Sequence, residues 1–598
     1  MDLTWKERFG AAFAWERVIC RLIAAWCAFA STVLLSDIGF AELSYAQSTP
    51  LWQVALWTLV FFAVFSAPAL LLAKLHTDSW FLLLTSSLCV FRWLLEFEGG
   101  NDEFLFVLAV IAVYALFVVY TLRVNEEAIH HLQFGSRSVA ALTFFIGLAS
   151  CAIIATVTCL RYKTFSSPNF DFGLFCNMFH NMKETGLPMV TSERDRLLSH
   201  FAVHISPIYY LLLPFYYLFP TPMTLQIGQA VALALGVIPV VLLAKHHKLS
   251  ERSTLLVTAL YAFFPALTCG TFYDIHENCF LPLFLLLTFL FYEKKKYIPM
   301  YLSAVGVLAV KEDAAIYLLM FALFVLLSER NWIHGGALTA MSVGYFLLCG
   351  YYLEKHGLGM MVNRFDNLIY NKDDGLLGAI KTALVNPGYL LTQLFTTSKN
   401  GWEKLVYALQ MLLPLGLLPF CSKKPSRWLL VAPLLINLLT YYQYQYDIGF
   451  QYHFGITAFL IYATIKNLPE LSAPTRRNLL GIAAAACCCI YVFTVVPKLD
   501  NYVDRWESGK EIYVQMDEFL DTAIPADASV SASTFLLSHI ADRDVIYETK
   551  YHGDKPDVDY VVLDMRYKSY LDTMQAYLDQ GYTVSDQLDE KIVVLKKN

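Results

Sequence analysis

Charge is what this chain has least of. Only 16% of its 598 residues are Asp, Glu, Lys or Arg, 57% are hydrophobic, and the mean hydropathy is +0.49. That balance excludes an ordinary soluble globular protein and a disordered chain alike, and reads as an integral membrane protein. Lysine and arginine, 44 together against 50 acidic residues, form no surplus and no single patch, which excludes nucleic acid as a partner. Thirteen cysteines are present, but without a CxxC pair or metal-ligand spacing. Most sit inside apolar runs, as in Cys487-Cys488-Cys489, and read as small core residues rather than disulfides or ligands. Internal repeats and low-complexity tracts are also lacking, which excludes a solenoid. No cleavable signal peptide is evident: the first apolar run, about 18–35, follows Lys6, Arg8, Arg17 and Arg21 without a small-residue cleavage site and is expected to be an anchor.

Long hydrophobic runs are abundant. Residues 51–73, 104–122, 138–160, 223–244 and 479–496 each approach the ~20 apolar residues that cross a bilayer as a helix. Basic residues collect in short loops, at Lys245 to Arg252, Lys294-Lys295-Lys296, Arg330, Lys423 to Arg427 and Lys466 to Arg477, and such loops favour the cytoplasm. Between them lie acidic or aromatic loops poor in lysine, around 96–103, 273–278 and 441–453, which are expected to face outward. About fifteen crossings satisfy the alternation, with a cytoplasmic N-terminus and an extracytoplasmic C-terminus. The segment 206–219 also reads as re-entrant, and the spans flanking Lys311 are short.

The last hundred residues differ in character. The stretch 497–598 holds 20 acidic and 11 basic residues, so the acidity of the whole chain sits there. β-rich runs at 528–532, 545–547, 560–563 and 592–595 alternate with helical patterns at 511–520 and 570–578, and predict a small extracytoplasmic α/β domain. The fold class expected is therefore an all-α polytopic membrane protein with a small C-terminal α/β domain. Three parts are expected: an N-terminal four-span extension (1–137), a transmembrane domain (138–496) with a large external loop at 161–205, and the C-terminal domain (497–598).

Polar residues set among apolar spans are the functional candidates, because charge at membrane depth is costly. Asp171, boxed by Phe170 and Phe172, opens the large loop; it suits a base or a cation ligand, or simply a helix N-cap. His200 and His204 close the same loop four residues apart, a spacing for a metal or for hydrogen bonds to substrate. Asp274, His276 and Glu277 fill one outward turn, and Lys311, Glu312 and Asp313 fill the next. Lys311 is the only lysine in the short outward loops, an exception that suits an anion such as phosphate, although pairing at the interface also accounts for it. The last outward loop carries Tyr446, Asp447, Gln451 and His453 among further tyrosines. Tyrosines anchor spans at the interface, but with amide and carboxylate partners they also form a sugar-binding surface.

Taken in order, Phe170-Asp171-x-Gly173-x-Phe175, His200-Phe201, Ser206-Pro207, Pro214, Gln229, Pro239, His276-Glu277, Lys311-Glu312-Asp313 and Gln451-Tyr452-His453 resemble the prokaryotic membrane-protein family called domain of unknown function 2079. In the tail, the run from Ile524-Pro525 to Ser533, then His539, Arg543 and Tyr547, and Asp559 to Asp564 continue the resemblance. It covers roughly residues 138 to 598 and implies membership of the C-type glycosyltransferase (GT-C) superfamily, which takes sugars from polyprenyl-phosphate carriers at the outer membrane face. By resemblance, Asp171 takes the place of the superfamily's catalytic base or metal-linked carboxylate. Cys176-Asn177 departs from the family pattern, an acidic residue followed by Gln, and leaves a paired-carboxylate scheme open.

The expectation is a glycosyltransferase of the cell membrane whose partners are membrane lipid and a lipid-linked sugar donor. Asp171 would activate the acceptor hydroxyl, while Lys311, with His200 or His204, would stabilise the departing lipid phosphate. Glu277, Glu312 and Asp313 would orient these groups or hold a divalent cation, magnesium or manganese. The alternative is a transporter or flippase of a lipid-linked or polar solute, which calls for ionisable residues along the span interiors, where Arg92 is a rare example.

Overall fold

Long apolar runs have no water to satisfy their backbone, so they close their hydrogen bonds internally as helices. The computed structural model describes residues 4–32, 43–96, 103–131, 134–360, 363–371, 374–397 and 401–598. Among these, eight helices are long and apolar enough to cross a membrane: Leu51–Leu71, Thr77–Glu96, Glu103–Val124, Ser136–Lys163, Pro222–His246, Glu251–Cys269, Trp332–His356 and Ala473–Ala523. Most of the loop expected at 96–103 lies outside the described residues.

Loop alternation asks for more crossings than eight, and four shorter helices supply part of the difference. Leu281–Glu293, Tyr297–Leu308, Ala314–Leu327 and Phe454–Asn467 have 13, 12, 14 and 14 residues. At 1.5 Å per residue they reach about 18–21 Å, short of the ~30 Å hydrocarbon core. The 3₁₀ turns Glu277–Phe280 and Gln451–His453 extend two of them at the same end. The segment after Ser206 makes only a 3₁₀ turn, Pro207–Leu211, and a six-residue helix, Leu213–Leu218, too little to span.

These short helices sort the charges. Each begins or ends at Asp274–Asn278, Lys311–Asp313 or His453, and its other end carries Lys294, Arg330 or Lys466. The basic ends meet: Lys466 Nζ lies 2.6 Å from Glu293 Oε1 and 3.3 Å from Glu329 Oε1. Close packing of the bundle needs small residues at crossings. At Gly236 a Cβ would stand 1.8 Å from the Tyr261 hydroxyl, which donates to the Leu233 carbonyl.

Near the N-terminus, helix Trp15–Ala30 is tied to Thr77–Glu96 by a buried triad. Arg17 Nε and Arg21 Nε each lie 2.6 Å from an oxygen of Asp78. Their remaining donors reach Ala73, Leu75 and Ala12 carbonyls and the Ser66 hydroxyl.

Within the large loop, strands β1 (Met189–Val190) and β2 (Leu198–Ser199) pair antiparallel. The C-terminal domain holds β3 (Val530–Ala532), β4 (Ile546–Glu548), β5 (Tyr560–Asp564), β6 (Tyr582–Leu588) and β7 (Ile592–Lys597), in spatial order β4-β3-β5-β7-β6. The first three are mutually parallel and β7 is antiparallel to β5 and β6. Period-two alternation divides its core. Val561, Leu563, Val593 and Leu595 bury against Tyr577 of helix Tyr570–Leu578, whereas Val530, Val562, Ile592 and Val594 join the core shared with the membrane bundle. The expected helix at 511–520 is part of Val496–Ala523, which runs on from the preceding span.

Candidate active site

Helix Ser136–Lys163 delivers the chain to the loop, and the sequence around Asp171 then forces a tight reversal. Phe172 and Phe175 are buried while Phe170 is 51% exposed, so alternate rings point into and out of the protein. Asp171 absorbs the turn at φ +77° and ψ −62°, a strained geometry for a residue with a Cβ. It does not cap the following helix Leu174–Thr185, whose cap position is Gly173 without a side-chain bond. Gly173 is required there: a Cβ would stand 2.8 Å from Leu537 and 2.9 Å from the Asn169 side-chain oxygen.

Among the described residues the Asp171 carboxylate has no hydrogen-bond or ion-pair partner. Burial, with the Glu277 charge adding to it and Lys311 opposing, pushes its pKa up to about 7. A carboxyl so placed exchanges a proton near neutrality, which is what a general base needs.

Beside it lies a buried ion pair. Lys311 Nζ stands 2.9 Å from Glu277 Oε1, the Tyr209 hydroxyl donates to Glu277 Oε2 at 2.8 Å, and His276 Nδ1 faces the same oxygen at 3.0 Å. Burial works against the Lys311 charge, but Glu277 outweighs it and holds the ammonium above its ordinary pKa. Burial pushes His276 down to about 3, so its ring is neutral. Lys311 also lines a cavity of about 90 Å³ together with His204, Glu312, Asp313, Arg364 and Tyr452. His204 Nδ1 donates to Glu312 Oε1 at 2.8 Å, and the Ile205 backbone N–H donates to Oε2 at 2.9 Å. Arg364 packs its guanidinium over Tyr442 and Tyr452, 4.9 and 4.8 Å from the ring centroids. Among the described residues no carboxylate lies within ion-pair distance of it. The cavity lining also includes the apolar side chains of Ile316, Phe346, Met360 and Ile436.

A family described as "Predicted membrane protein (DUF2079)" matches residues 161–592. The chain belongs to this family. Among solved structures, the DUF2079 chain is similar to ArnT from Cupriavidus metallidurans, crystallised with undecaprenyl phosphate, at 12% identity and a TM-score of 0.46, over 77% of this chain and 98% of ArnT. A search of curated proteins finds no match.

The remaining candidates of this DUF2079 protein have other partners. Asp274 is clasped by Arg161 Nε, Ser167 Oγ and Gln226 Nε2 at 3.0, 2.8 and 2.7 Å, which fixes the exit of helix Ser136–Lys163. His200 is buried against Glu193 at 3.1 Å, away from the cavity lining. His453 is wholly buried and donates from Nε2 to the Ala266 carbonyl at 2.6 Å. Gln451 is buried nearby, Tyr446 stacks under Lys404, and exposed Asp447 accepts the Gly449 N–H in a local turn. Among the described residues no group of three or more His, Cys, Asp or Glu is arranged to hold a metal ion, and Glu277 and Glu312 are already engaged. Sequence reading missed Arg364. Like Lys311 it is a cation next to apolar helices, but it lies in a long segment, and the charge rule reads short loops.

Proposed function

We propose that this protein is a glycosyltransferase that moves a sugar from a polyprenyl-phosphate carrier to an acceptor hydroxyl at the outer face of the membrane. The observation that carries the reading is a carboxylate of raised pKa, Asp171, without a partner among the described residues and within electrostatic reach of Lys311, which lines a cavity together with the Arg364 guanidinium and several apolar side chains. Asp171 takes the proton from the acceptor hydroxyl, whose oxygen bonds to the anomeric carbon. The bond from that carbon to the phosphate oxygen breaks, and its electron pair leaves with the lipid phosphate.

Arg364 is assigned the departing phosphate, since a guanidinium matches phosphate oxygens bidentately and its two tyrosines fix its plane. Lys311, which also lines the cavity, contributes charge while tied to Glu277, rather than as the sole phosphate ligand. The apolar side chains of Phe346 and Met360 in the lining suit the first isoprene units. The orientation rests on the basic loops at the opposite end of the bundle. Proteoliposomes carrying a polyprenyl-phosphate sugar test the reading: the wild type transfers sugar to an added acceptor, and Asp171→Asn does not.

A further inference from the structure

The C-terminal domain grips the loop that carries Asp171. Asn169, two residues before Asp171, donates from Nδ2 to Glu548 Oε2 at 2.8 Å, and its backbone N–H donates to Thr534 Oγ1 at 3.2 Å. Glu548 ends β4, the edge strand of the sheet, and is buried there. Further along, Thr191 Oγ1 donates to the Ile546 carbonyl at 2.8 Å and accepts the Ile546 N–H at 2.9 Å. Asn177 Nδ2 donates to the Arg543 and Ala541 carbonyls at 2.8 and 3.2 Å. The open edge of β4 is thus satisfied by side chains of the loop rather than by another strand.

We propose that Glu548 is a positioning residue for Asp171: its hydrogen bond to Asn169 holds the Asp171 turn at positive φ and keeps the carboxylate turned into the protein. The proposal rests on the reading of Asp171 as the base. The strain at Asp171 must be held by surrounding contacts, or the turn relaxes. On the N-terminal side those contacts come from Asn169, and its buried side-chain partner is a residue of the C-terminal domain. On the C-terminal side lies Gly173, where an added Cβ would meet Leu537 of the same domain at 2.8 Å. The groups that face Asp171 electrostatically are Glu277, Lys311, Glu193 and Asp274, none of which belongs to that domain. Glu548 therefore acts on Asp171 through geometry.

The test reads the Asp171 titration from stability and needs no transfer activity. Melting temperatures of the full chain and of Asp171→Asn, compared across pH 4 to 9, separate progressively and then run parallel; the pH where they become parallel marks the Asp171 pKa. In a Glu548→Ala background that point is expected to fall by about one unit or more, towards an ordinary carboxylate. In a Glu548→Gln background, whose amide oxygen still accepts from Asn169, it is expected to stay. If Glu548→Ala does not fold, Glu548→Asp, one methylene shorter, is expected to move the point the same way. An unmoved point in Glu548→Ala, or in Glu548→Asp where it replaces it, overturns the proposal, and so does an equal move in Glu548→Gln. A protein that transfers no sugar but shows the shift keeps the positioning role while losing the assigned reaction.

Discussion

Lys311 and Glu277 form an ion pair at 2.9 Å with side chains only 3% and 1% exposed. Removing one partner from such a pair strands a buried charge, at a cost of about 3–5 kcal/mol. Lys311→Met is therefore expected to lower the melting temperature sharply. Adding Glu277→Gln, which keeps an acceptor for Tyr209, is expected to recover most of the loss. A double variant that melts no higher than the single one contradicts the pairing.

Asp171 gives a pH dependence of defined sign. Its folded pKa is raised to about 7, above the ordinary carboxylate value. The unfolded chain thus loses the proton first, and stability falls as pH rises towards 7, then levels. Asp171→Asn is expected to match the wild type near pH 4 and to be the more stable protein above pH 7. Catalysis runs the other way, since the base must be ionised: the wild-type rate rises with pH through about 7. Thermal melts and rate profiles on one preparation check both directions.

Arg364 is expected to act in donor binding. A charge-assisted hydrogen bond is worth ~1.5–3 kcal/mol, so Arg364→Ala should weaken affinity for a polyprenyl phosphate in nanodiscs by roughly 10- to 100-fold. Arg364→Lys keeps the charge but not the planar fork, and is expected to fall between. Unchanged affinity in Arg364→Ala removes the phosphate assignment.

The site was legible in the sequence to the extent that charge stood out against apolar surroundings. Asp171, Glu277 and Lys311 did: the fold pairs Glu277 with Lys311 and leaves Asp171 within electrostatic reach of both. His200 and His453 stood out equally, yet each is spent on a neighbour, Glu193 or the Ala266 carbonyl, and only the fold reveals those partners. The unusual Cys176-Asn177 pair is explained the same way: Asn177 is a docking residue for the C-terminal domain. Strand β6 escaped notice because its outer positions are exposed and polar, leaving no alternation to read.

The buried Arg17–Asp78–Arg21 triad sets a prediction remote from the site. Asp78→Ala leaves two buried arginines without a counter-charge, and is expected to cost several kcal/mol, about 3–5 by comparison with other broken buried pairs. Loss of expression or a large drop in melting temperature is the expected readout, with Asp78→Glu milder.

The central claim, that Asp171 is the base of a glycosyl transfer, is tested most directly by the rate of sugar transfer in proteoliposomes loaded with a polyprenyl-phosphate sugar. Wild-type protein is expected to transfer, and Asp171→Asn to fall by about 10²- to 10⁴-fold while melting no lower. Transfer by Asp171→Asn at the wild-type rate contradicts it.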